Sequence, residues 1–413
     1  MKILQLCKKF PYPLKDGEAI AVTYLSKALH KLGCELTLLS MNTTKHHFDE
    51  KALPKDFDHY KNMHLVEIDN RIKIKDAFVN LFTSKSYHIV RYISPKFEAK
   101  LIELLKAEDY DIVQLETLYL APYVDIIRKY SKAKIVMRSH NVEHEIWKRV
   151  TENTSVGAKK WYLQLLTKRL ENFEVENLNK YDMLVSITQR DLDFFKAIGC
   201  KIPTHVTPVG LELDDYTNIS HQHKSKPTFG FIGSLDWMPN TEGLDWLLNK
   251  VWPLVMAKNP DAEFHIAGRN TPSWLLEKKW PNVTIHGEVA SAIDFMNKHD
   301  VMVVPLFSGS GMRVKILEGM ALGKTIISTK IGLEGIHAKH NEEVLIADTV
   351  EKFAEEMLRC IDGPSMLPFI GKKAQDFIHD HYDNVKIAKC LTTFFYELLG
   401  RPIPEPQKDV VAQ

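Results

Sequence analysis

A short stretch in the second half of the chain combines glycine, two cations and a carboxylate at helical spacing. It reads SGSGMRVKILEGMALGK, spans residues 308 to 324, and contains Gly311, Arg313, Lys315 and Glu318. The preceding run DVMVVPLF predicts a buried strand, SGSG a turn and MRVKILEGMA a helix. Amide groups at the start of a helix carry partial positive charge, so two added cations there predict a site for phosphate or diphosphate.

Glu318 follows the predicted phosphate site by about one helical turn. Lys315 and Glu318 are three residues apart, and Gly311 and Glu318 are seven apart, so all three share one helical face. A carboxylate in this position can accept two hydrogen bonds from a vicinal diol such as ribose. The pattern therefore indicates a nucleotide-diphosphate cradle. A surface Lys–Glu pair on a helix that follows a flexible loop is the alternative interpretation.

The elements that must position this stretch are predicted by short apolar runs that alternate with helical patterns. The runs are KILQLC, ELTLLS, HLVEID, DIVQLE, KIVMRSH, MLVSIT and HVTPVG in the first half, then TFGFIGSL, EFHIAG, VTIHG, DVMVVPL, TIIST and EVLIAD. This alternation predicts an α/β protein with two doubly wound, Rossmann-like parallel-sheet domains, separated by a polar stretch at 214–228. Because such sheets bind ligands beyond the carboxyl ends of their strands, we expect the domains to face each other across a cleft.

Composition favours a folded protein that works in a reducing compartment. The 413 residues are 45% hydrophobic and carry a formal net charge of +1. The five cysteines are scattered and show neither disulfide-framework nor zinc-ligand spacing, so we expect a cytoplasmic location. The apolar runs are too short for a signal peptide or a membrane span, so any membrane contact is expected to be peripheral, at the cytoplasmic face.

Charge is divided unevenly between the two halves. Residues 1 to 210 hold 33 Lys and Arg against 26 Asp and Glu, whereas residues 211 to 413 hold 21 against 27. The excess in the first half favours an anionic partner, with ordinary solvated surface as the alternative. It is far smaller than in typical nucleic-acid-binding proteins, so we expect no nucleic-acid partner.

The motifs of the second half resemble those of the GT-B glycosyltransferases, specifically the retaining family 4 type. The segments FGFIGSLDWMPN, FHIAGRN, VTIHGEV, VPLFSGSGMRVKILEGMALGKTIIST and GLEGI stand in the family's order and spacing. In the first half, the glycine-containing loop after the first strand and RSHNVEHEIW after the fifth are similar to the branch common in bacterial polysaccharide assembly. The resemblance implies the GT-B fold and transfer of a sugar, with retention, from a nucleotide-diphosphate donor of the UDP or GDP type. It implies no other cofactor.

The strand rhythm and the resemblance together give the expected domain boundaries. We expect an acceptor-side domain over 1–210, a linker over 211–228 and a donor-binding domain over 229–375. The segment FIHDHYDNVKIAKCLTTFFYELL looks like the family's terminal helix, which is expected over 376–400 and crosses back to the first domain. Residues 401–413 are expected to form a tail.

Position by position, the resemblance assigns roles to residues on both domains. Glu318 would hold the ribose, the turn before the helix would meet the sugar and phosphates, and His140 would face the donor sugar. The backbone at Glu288 and Val289 would contact the nucleobase. The implied donor-binding residues are Gly17, Gly233, Ser234, Arg269, Glu288, Val289, Ser310, Gly311, Met312, Arg313, Lys315 and Glu318. The implied catalytic residues are His140, Arg313, Lys315 and Glu318.

Two positions depart from the family pattern. The family commonly has a Glu eight residues before the ribose-binding Glu, and that position is Ser310 here. The segment GSLDWMPNTEGL also lacks the Arg and Lys that the family usually places there. We expect a hydroxyl or backbone contact to replace the first group, and Arg313 and Lys315, acting from within the helix, to replace the second.

The predicted cations favour catalysis without a metal. A departing diphosphate needs its charge stabilised, and cations with helix amides can supply this. The Asp-x-Asp segments at 109–111 and 191–193 are candidate metal ligands, but the first precedes a strand and the second opens a helix, which favours capping or solvent exposure. In a same-face attack the leaving phosphate accepts the acceptor's proton, so His140 would position the sugar. A satisfied polar turn is the alternative for His140.

The acceptor is expected to be a glycan or a lipid-linked molecule that binds the first domain. The window 71–100 carries seven basic residues against two acidic ones, interleaved with five aromatic residues, Phe78, Phe82, Tyr87, Tyr92 and Phe97. This mixture is typical of contact with an anionic inner-membrane surface or a lipid-linked acceptor, and burial of the aromatic rings in the core is the alternative. Glu143 and His144 are further candidates for acceptor contact.

Three other functions compete with sugar transfer. A nucleotide-sugar epimerase or a glycan phosphorylase on the same fold is the alternative among enzymes. A nucleotide-sugar-binding protein without transferase activity is the alternative from another class, and Ser310 in place of the family Glu is the feature that favours it.

Overall fold

The computed structural model describes residues 1–14, 16–217, 226–308 and 311–404, and it divides the chain into two compact units. Unit 1 comprises residues 1–208 together with the described part of the chain from Val385 onward. Unit 2 comprises Val209–Asn384. Each unit is an α/β sheet covered by helices, as the alternating apolar runs predict.

Unit 1 contains a seven-stranded parallel sheet in the order β3-β2-β1-β4-β5-β6-β7. The strands are β1 Lys2–Cys7, β2 Glu35–Thr43, β3 Asn62–Ile68, β4 Ile112–Leu115, β5 Lys134–Ser139, β6 Met183–Ser186 and β7 Thr204–Val206. The helices are α1 Gly17–Lys31, α2 Ile74–Leu81, α3 Tyr87–Val90, α4 Pro95–Ala107, α5 Val124–Tyr130, α6 Glu143–Glu152, α7 Ala158–Asn177 and α8 Gln189–Ala197.

Unit 2 contains a six-stranded parallel sheet in the order β10-β9-β8-β11-β12-β13. The strands are β8 Phe229–Ile232, β9 Phe264–Ala267, β10 Val283–Gly287, β11 Val301–Val304, β12 Thr325–Ser328 and β13 Leu345–Ile346. The helices of unit 2 are α9 Met238–Trp246, α10 Trp252–Lys258, α11 Ser273–Glu277, α12 Ala292–Asn297, α13 Val314–Ala321, α14 Val350–Asp362 and α15 Met366–His381. The last helix, α16 Asn384–Leu398, packs in unit 1. Every apolar run predicted as a strand forms one.

Alternate residues of the unit 1 strands supply two separate cores. Ile3 and Leu36 pack with α1 on one face of the sheet, whereas Leu4 and Leu39 pack with α4 on the other. Both faces are therefore covered, which explains why β4 is buried at all four of its positions. The strand sequences are continuous apolar runs for this reason.

The chain returns to unit 1 through α16, later than the boundary at 376 expected from the sequence. Helix α15 remains in unit 2 and ends at His381, and Asp383 pairs with Leu211 in a short parallel bridge. Helix α16 then contributes three buried side chains, Ala388, Leu391 and Phe395, to the core that surrounds Ile3.

The expected linker is only partly a connecting segment. Residues 209–217 belong to unit 2, with a 3-10 turn at Leu213–Tyr216, while 218–225 lie outside the described residues. Of the expected tail, 401–404 is described. Within the described part of the chain, none of the helices combines the length and the apolar character needed to cross a lipid bilayer.

Candidate functional site

The strand order reverses once in each sheet, and ligands of open α/β sheets bind beyond the carboxyl ends of the strands at that point. In unit 1 the reversal lies between β1 and β4, which are followed by Lys8 and Glu116. In unit 2 it lies between β8 and β11, which are followed by Gly233 and Pro305. Most residues predicted to bind the donor follow strands of the unit 2 sheet. Gly17, which begins α1, and His140, which follows β5, lie in unit 1.

The predicted turn and helix of unit 2 are present, with a later helix start than expected. Helix α13 begins at Val314, and Arg313 is its N-cap residue, so this cation precedes the helix and does not lie within it as expected. Gly311 has a φ of 83°, in the left-handed region that favours glycine. Met312 is half-buried. Gly309 and Ser310 lie outside the described residues, so the predicted role of Ser310 stays a prediction.

Lys315 lies in the first turn of α13 and turns towards the end of β8. Its Nζ donates to Oδ1 of Asn240 at 2.8 Å and lies 4.4 Å from the centroid of the Phe231 ring. A Cβ placed on Gly233 would come within 3.1 Å of the same Nζ, so glycine leaves room for the ammonium group. Burial, together with the charge of Arg313, lowers the pKa of Lys315 to about 7. An anion bound here would restore the full charge of the lysine.

Glu318 lies one turn further along α13, as predicted. Its Oε1 accepts a hydrogen bond of 3.1 Å from the hydroxyl of Tyr216. Burial raises the pKa of Glu318, and the bond from Tyr216 opposes that rise. The remaining oxygen lone pairs can accept from a diol, as the ribose assignment requires. Tyr216 was not predicted, because it lies in the stretch that the sequence marks as a linker.

Arg313 is 6% exposed and packs against the segment that follows β8. Its guanidinium carbon lies 5.3 Å from the centroid of the Trp237 ring, and its Nη2 donates to the backbone oxygen of Ser308 at 3.4 Å. Trp237 is the N-cap residue of α9, and Asn240 lies in that helix. The segment that lacks the family's Arg and Lys therefore supplies an indole ring and an amide that contact the two cations near α13. Sequence reasoning missed both contacts.

The other predicted donor-site residues follow neighbouring strands of the same sheet. Ser234 follows β8, and its hydroxyl donates to Asp236 at 2.6 Å while its backbone oxygen accepts from Asn240 at 2.8 Å. Arg269 follows β9, and its backbone oxygen accepts from the amide of Leu235 at 2.8 Å. Because β10, β9 and β8 are consecutive and parallel, Arg269 and the residues after β10 lie along the carboxyl edge that contains Gly233.

Glu288 and Val289 occupy the positions directly after β10, the edge strand of this sheet. Glu288 is exposed and Val289 is half-buried. Gly287, at the end of the strand, has a φ of 69°, so the chain turns sharply before these two residues. Their assignment to the nucleobase stays a prediction.

In unit 1, His140 follows β5 and is held by a buried carboxylate that follows β4. Its Nε2 lies 2.9 Å from Oε2 of Glu116, and Arg138 donates to the same oxygen at 3.1 Å. The side-chain amides of Gln5 and Gln114 donate to the other carboxylate oxygen, Oε1, at 2.5 Å each. Burial would raise the pKa of Glu116, but Arg138, His140 and Gln5 outweigh it and lower the value to about 2. The ionised carboxylate can only accept, so Nε2 carries the proton in this bond and Nδ1 faces elsewhere as an acceptor when the ring is neutral.

A second group of charges, half-buried or buried, adjoins the start of α1. Lys8 follows β1, pairs with Glu18 at 3.1 Å, and lies 4.6 Å from the ring centroid of Tyr119. The Tyr119 hydroxyl donates to Glu143 at 3.0 Å. Burial raises the pKa of Glu143 to about 6, with Lys8 acting against the rise and Glu174 adding to it. A buried carboxyl with a raised pKa beside a lysine is a frequent feature of functional sites.

The remaining candidates of unit 1 have local partners. Gly17 is the first residue of α1, with open space where a Cβ would lie, and the side chain of Asp16 caps the helix by accepting from Ala19 at 3.0 Å. His144 bonds through Nδ1 to Glu174 at 2.6 Å. That carboxylate also accepts from the backbone amides of residues 143 and 144, so it caps α6 and fixes the orientation of His144.

The two Asp-x-Asp segments are engaged in structural contacts. Asp111 accepts from the backbone amide of Lys2 at 2.8 Å and pairs with Arg401 at 2.6 Å. Asp191 lies in the first turn of α8, accepts from Arg190 at 2.8 Å, and is largely buried. Asp109 and Asp193 are exposed, as the sequence favours. Asp111 and Asp191 instead pair with arginines, and the cap of α8 is Thr188 and not an aspartate.

Comparison with known protein families assigns each unit a match. Residues 16–215 match the family described as Glycosyltransferase Family 4, and residues 226–363 match the family described as Glycosyl transferases group 1. A relative described as an uncharacterized 44.6 kDa protein in the cps region of Klebsiella pneumoniae is 24% identical over 406 residues. That match covers 94% of this chain and 98% of the relative.

Solved structures share the fold along nearly the whole chain. Sucrose-phosphate synthase from Thermosynechococcus elongatus superimposes with a TM-score of 0.71 at 15% identity, covering 97% of this chain and 100% of that one. Anabaena Alr3699/HepE in complex with UDP gives a TM-score of 0.67 at 15% identity, covering 96% and 100%. Because each unit matches a glycosyltransferase family and the fold is shared with these structures, the chain belongs to the GT-B glycosyltransferases.

Proposed function

We propose that this glycosyltransferase moves a hexose from a nucleotide-diphosphate sugar to a glycan or lipid-linked acceptor, with retention and without a metal. Cell-surface polysaccharide assembly is the proposed setting, which the cps-region name of the Klebsiella pneumoniae relative supports. Structures of Alr3699/HepE hold UDP or UDP-glucose, which supports a uridine nucleotide among the donors to be tried first. The donor is proposed to bind unit 2.

The observation that carries the proposal is the position of a half-buried lysine, Lys315, in the first turn of α13, one turn before the half-buried carboxylate of Glu318. The described partners of Lys315 are an amide and an aromatic ring, and neither carries negative charge. A diphosphate supplies that charge and gains the amides at the start of α13. Glu318, one helical turn beyond Lys315, is proposed to accept hydrogen bonds from the ribose. Together these groups bind the two parts of a nucleotide that all donor sugars share.

The same cations would assist the chemistry. As the bond from the anomeric carbon to the diphosphate breaks, negative charge grows on the departing oxygen, and Lys315 and Arg313 stabilise it. In the proposed same-face attack, the acceptor hydroxyl forms the new bond and gives its proton to the departing phosphate, so no strong enzymic base is needed. The proposed role of His140 is to orient the transferred sugar, with Nδ1 accepting from a sugar hydroxyl while Glu116 holds Nε2.

The test is release of nucleoside diphosphate from a panel of UDP- and GDP-sugars by the pure protein. We expect slow release with one donor class and no loss of activity in EDTA. Glu318→Ala should weaken the apparent donor affinity roughly 10- to 100-fold, because two hydrogen bonds to a charged group are lost. Glu351→Ala, an exposed glutamate of the same unit, is the matched control and should have no effect.

Three outcomes would contradict the proposal. Donor binding without any release would identify a silent binding protein. Conversion of the donor sugar without release of the diphosphate would identify an epimerase. Activity abolished by EDTA and restored by a divalent cation would overturn the metal-free scheme.

A further inference from the structure

Helix α2 of unit 1 exposes its apolar side chains to solvent. Ile74, Phe78, Val79 and Phe82, at or just after the helix, are between 62% and 87% exposed, and Ile72 just before it is 71% exposed. Residues 74, 78 and 82 follow each other at four-residue intervals, so they form one outward stripe. A surface helix normally turns such a stripe towards the core. Here the large apolar side chains lie on the outside.

This helix is fixed to the protein by its other face. Asn80 is buried, and the backbone oxygens of Asn80 and Leu81 accept from Arg169 of α7 at 2.8 and 3.0 Å. The hydroxyl of Tyr162, also in α7, donates to the backbone oxygen of Ala77 at 3.2 Å. The outward stripe is therefore held in place by contacts with α7, and its exposure belongs to a folded helix.

The beginning of α7 and the end of α6 add further exposed apolar side chains. Trp161, adjacent to Tyr162, is 60% exposed, and Val156 in the connection between the helices is 94% exposed. Val150, near the end of α6, is 43% exposed. The exposed residues of these two regions, 72–82 and 150–161, are called the α2–α7 surface below. Clusters of exposed apolar side chains with polar surroundings are typical of interaction sites.

Basic residues surround the apolar side chains in both regions. Residues 71–85 contain four Lys and Arg against one Asp, and residues 148–160 contain four against one Glu. Arg71 and Lys73 pair with Asp69 at 2.8 and 3.2 Å, whereas Lys75 and Lys85 are exposed beside the stripe. Apolar and aromatic side chains with flanking cations match the chemistry of an anionic lipid surface, where acyl chains meet negative headgroups.

We propose that the α2–α7 surface docks on an anionic lipid surface, with Phe78, Phe82 and Trp161 inserted at the level of the headgroups. A second copy of the chain is a poorer occupant, because a symmetric pairing would bring two sets of basic residues together. The aromatic window of the sequence thus divides in two. Tyr87 and Phe97 are core residues and Tyr92, half-buried, packs against the same core. Phe78 and Phe82 are exposed on the docking surface. This proposal goes beyond sugar transfer. Docking on lipid can prove wrong while the proposed transfer reaction stands.

The experiment is co-sedimentation of the full chain with vesicles of phosphatidylcholine, with and without phosphatidylglycerol. We expect binding to the anionic vesicles only, weakened several-fold by high salt because the cations contribute. The double variant Phe78→Ser, Phe82→Ser should lose at least roughly 10-fold in affinity. Phe369→Ser, which changes a 61% exposed phenylalanine of unit 2, is the matched control and should bind as the unchanged protein does.

A second measurement keeps the test independent of any folding defect. Vesicles with brominated acyl chains should quench part of the tryptophan fluorescence of the unchanged protein, and Trp161→Phe should remove most of that quenching. Failure to bind anionic vesicles at low salt would overturn the proposal. Vesicle binding by the double variant that equals that of the unchanged protein would also overturn it. A third contrary result is that neither protein binds vesicles, and that the unchanged protein is a dimer in solution whereas the double variant is a monomer.

Discussion

Lys315 is the residue on which the proposed donor site most depends. Burial and the neighbouring Arg313 lower its pKa from 10.5 to about 7. Between these two values the folded protein binds fewer protons than the unfolded chain, so the contribution of this lysine to stability rises as the pH rises through that window. Around and below neutral pH the ammonium group is charged, and its burial destabilises the folded protein. An anionic ligand that neutralises this charge removes the destabilisation, and the free energy regained adds to the binding affinity.

The first prediction is that donor binding near pH 7 takes up protons. A diphosphate beside Lys315 favours its charged form, so the lysine gains a proton on binding and affinity falls as the pH is raised above about 7. Calorimetry in buffers of different ionisation enthalpy measures the uptake. A nucleotide sugar is the right ligand, because a free diphosphate has a terminal phosphate that itself titrates near pH 6. Lys315→Met should abolish the uptake; uptake equal to that of the unchanged protein would contradict the assignment.

Glu143 provides a second prediction, in unit 1. Burial raises its pKa from 4.5 to about 6, so the folded protein holds more protons than the unfolded chain between these values. Its contribution to stability therefore falls as the pH rises through this window. Glu143→Gln keeps an acceptor for Tyr119 and has no charge to bury. Relative to the unchanged protein, the variant's free energy of unfolding should rise by about 1 kcal/mol between about pH 5 and about pH 8. A difference in melting temperature that does not vary with pH would contradict it.

Spacing in the sequence relates only those candidate site residues that lie close together in the chain, and the family resemblance supplied the others, such as His140 and Gly233. Arg313, Lys315 and Glu318 are close in the chain, so helical periodicity alone relates them. Asn240 and Tyr216 contact this helix from 75 and 102 residues away, and nothing in local spacing marks them. Glu116 was missed for the same reason, since its bond to His140 depends on β4 and β5 being neighbours.

At the scale of elements, the strands could be predicted and the helix ends could not. Apolar runs of a buried parallel strand are unambiguous, whereas a helix start depends on the cap. Arg313 has a φ of −89° and a ψ of 88°, so it is outside α13 although its sequence neighbourhood fits a helix. Close contacts between elements could not be predicted from the sequence either. A Cβ on Gly243 in α9 would lie 1.7 Å from the backbone oxygen of Pro305, so only glycine allows the observed packing.

Two glycine substitutions separate packing from function. Gly243→Ala should destabilise unit 2, although alanine in a helix is normally favourable by about 1 kcal/mol, because a backbone oxygen blocks the methyl group. Gly233→Ala meets only the flexible ends of Asn240 and Lys315, at 2.8 and 3.1 Å. It should leave the melting temperature nearly unchanged and weaken donor binding, by roughly 10-fold if one charge-assisted hydrogen bond is displaced. The reverse ranking of the two variants would contradict this packing.

At the scale of the whole molecule, the chain forms its first unit from both of its ends. The two sheets follow from the rhythm of the sequence, and the returning helix was expected from the family resemblance. The point of return was not predictable, because α15 and α16 are both amphipathic and are separated by only two residues, Tyr382 and Asp383. The two helices differ in the unit against which their apolar faces pack, which is unit 2 for α15 and unit 1 for α16.

This arrangement predicts a remote effect of one C-terminal side chain. Phe395 is fully buried in the core that includes Ile3 and Leu36, so Phe395→Ala should destabilise unit 1 by about 3–5 kcal/mol. Hydrogen exchange should show lost protection in β1, β2 and α1, while the strands of unit 2 keep theirs. Phe369→Ala, at an exposed position, is the control. Loss of protection in unit 2 alone would contradict the assignment of α16.

The most direct test of the whole account is a crystal structure of the protein with a nucleoside diphosphate. We expect diphosphate oxygens within hydrogen-bonding distance of the Lys315 ammonium group and of the amides that begin α13, with both ribose hydroxyls bonded to Glu318. A nucleotide bound elsewhere, or one that leaves Lys315 on Asn240 and Glu318 turned away from the ribose, would contradict it.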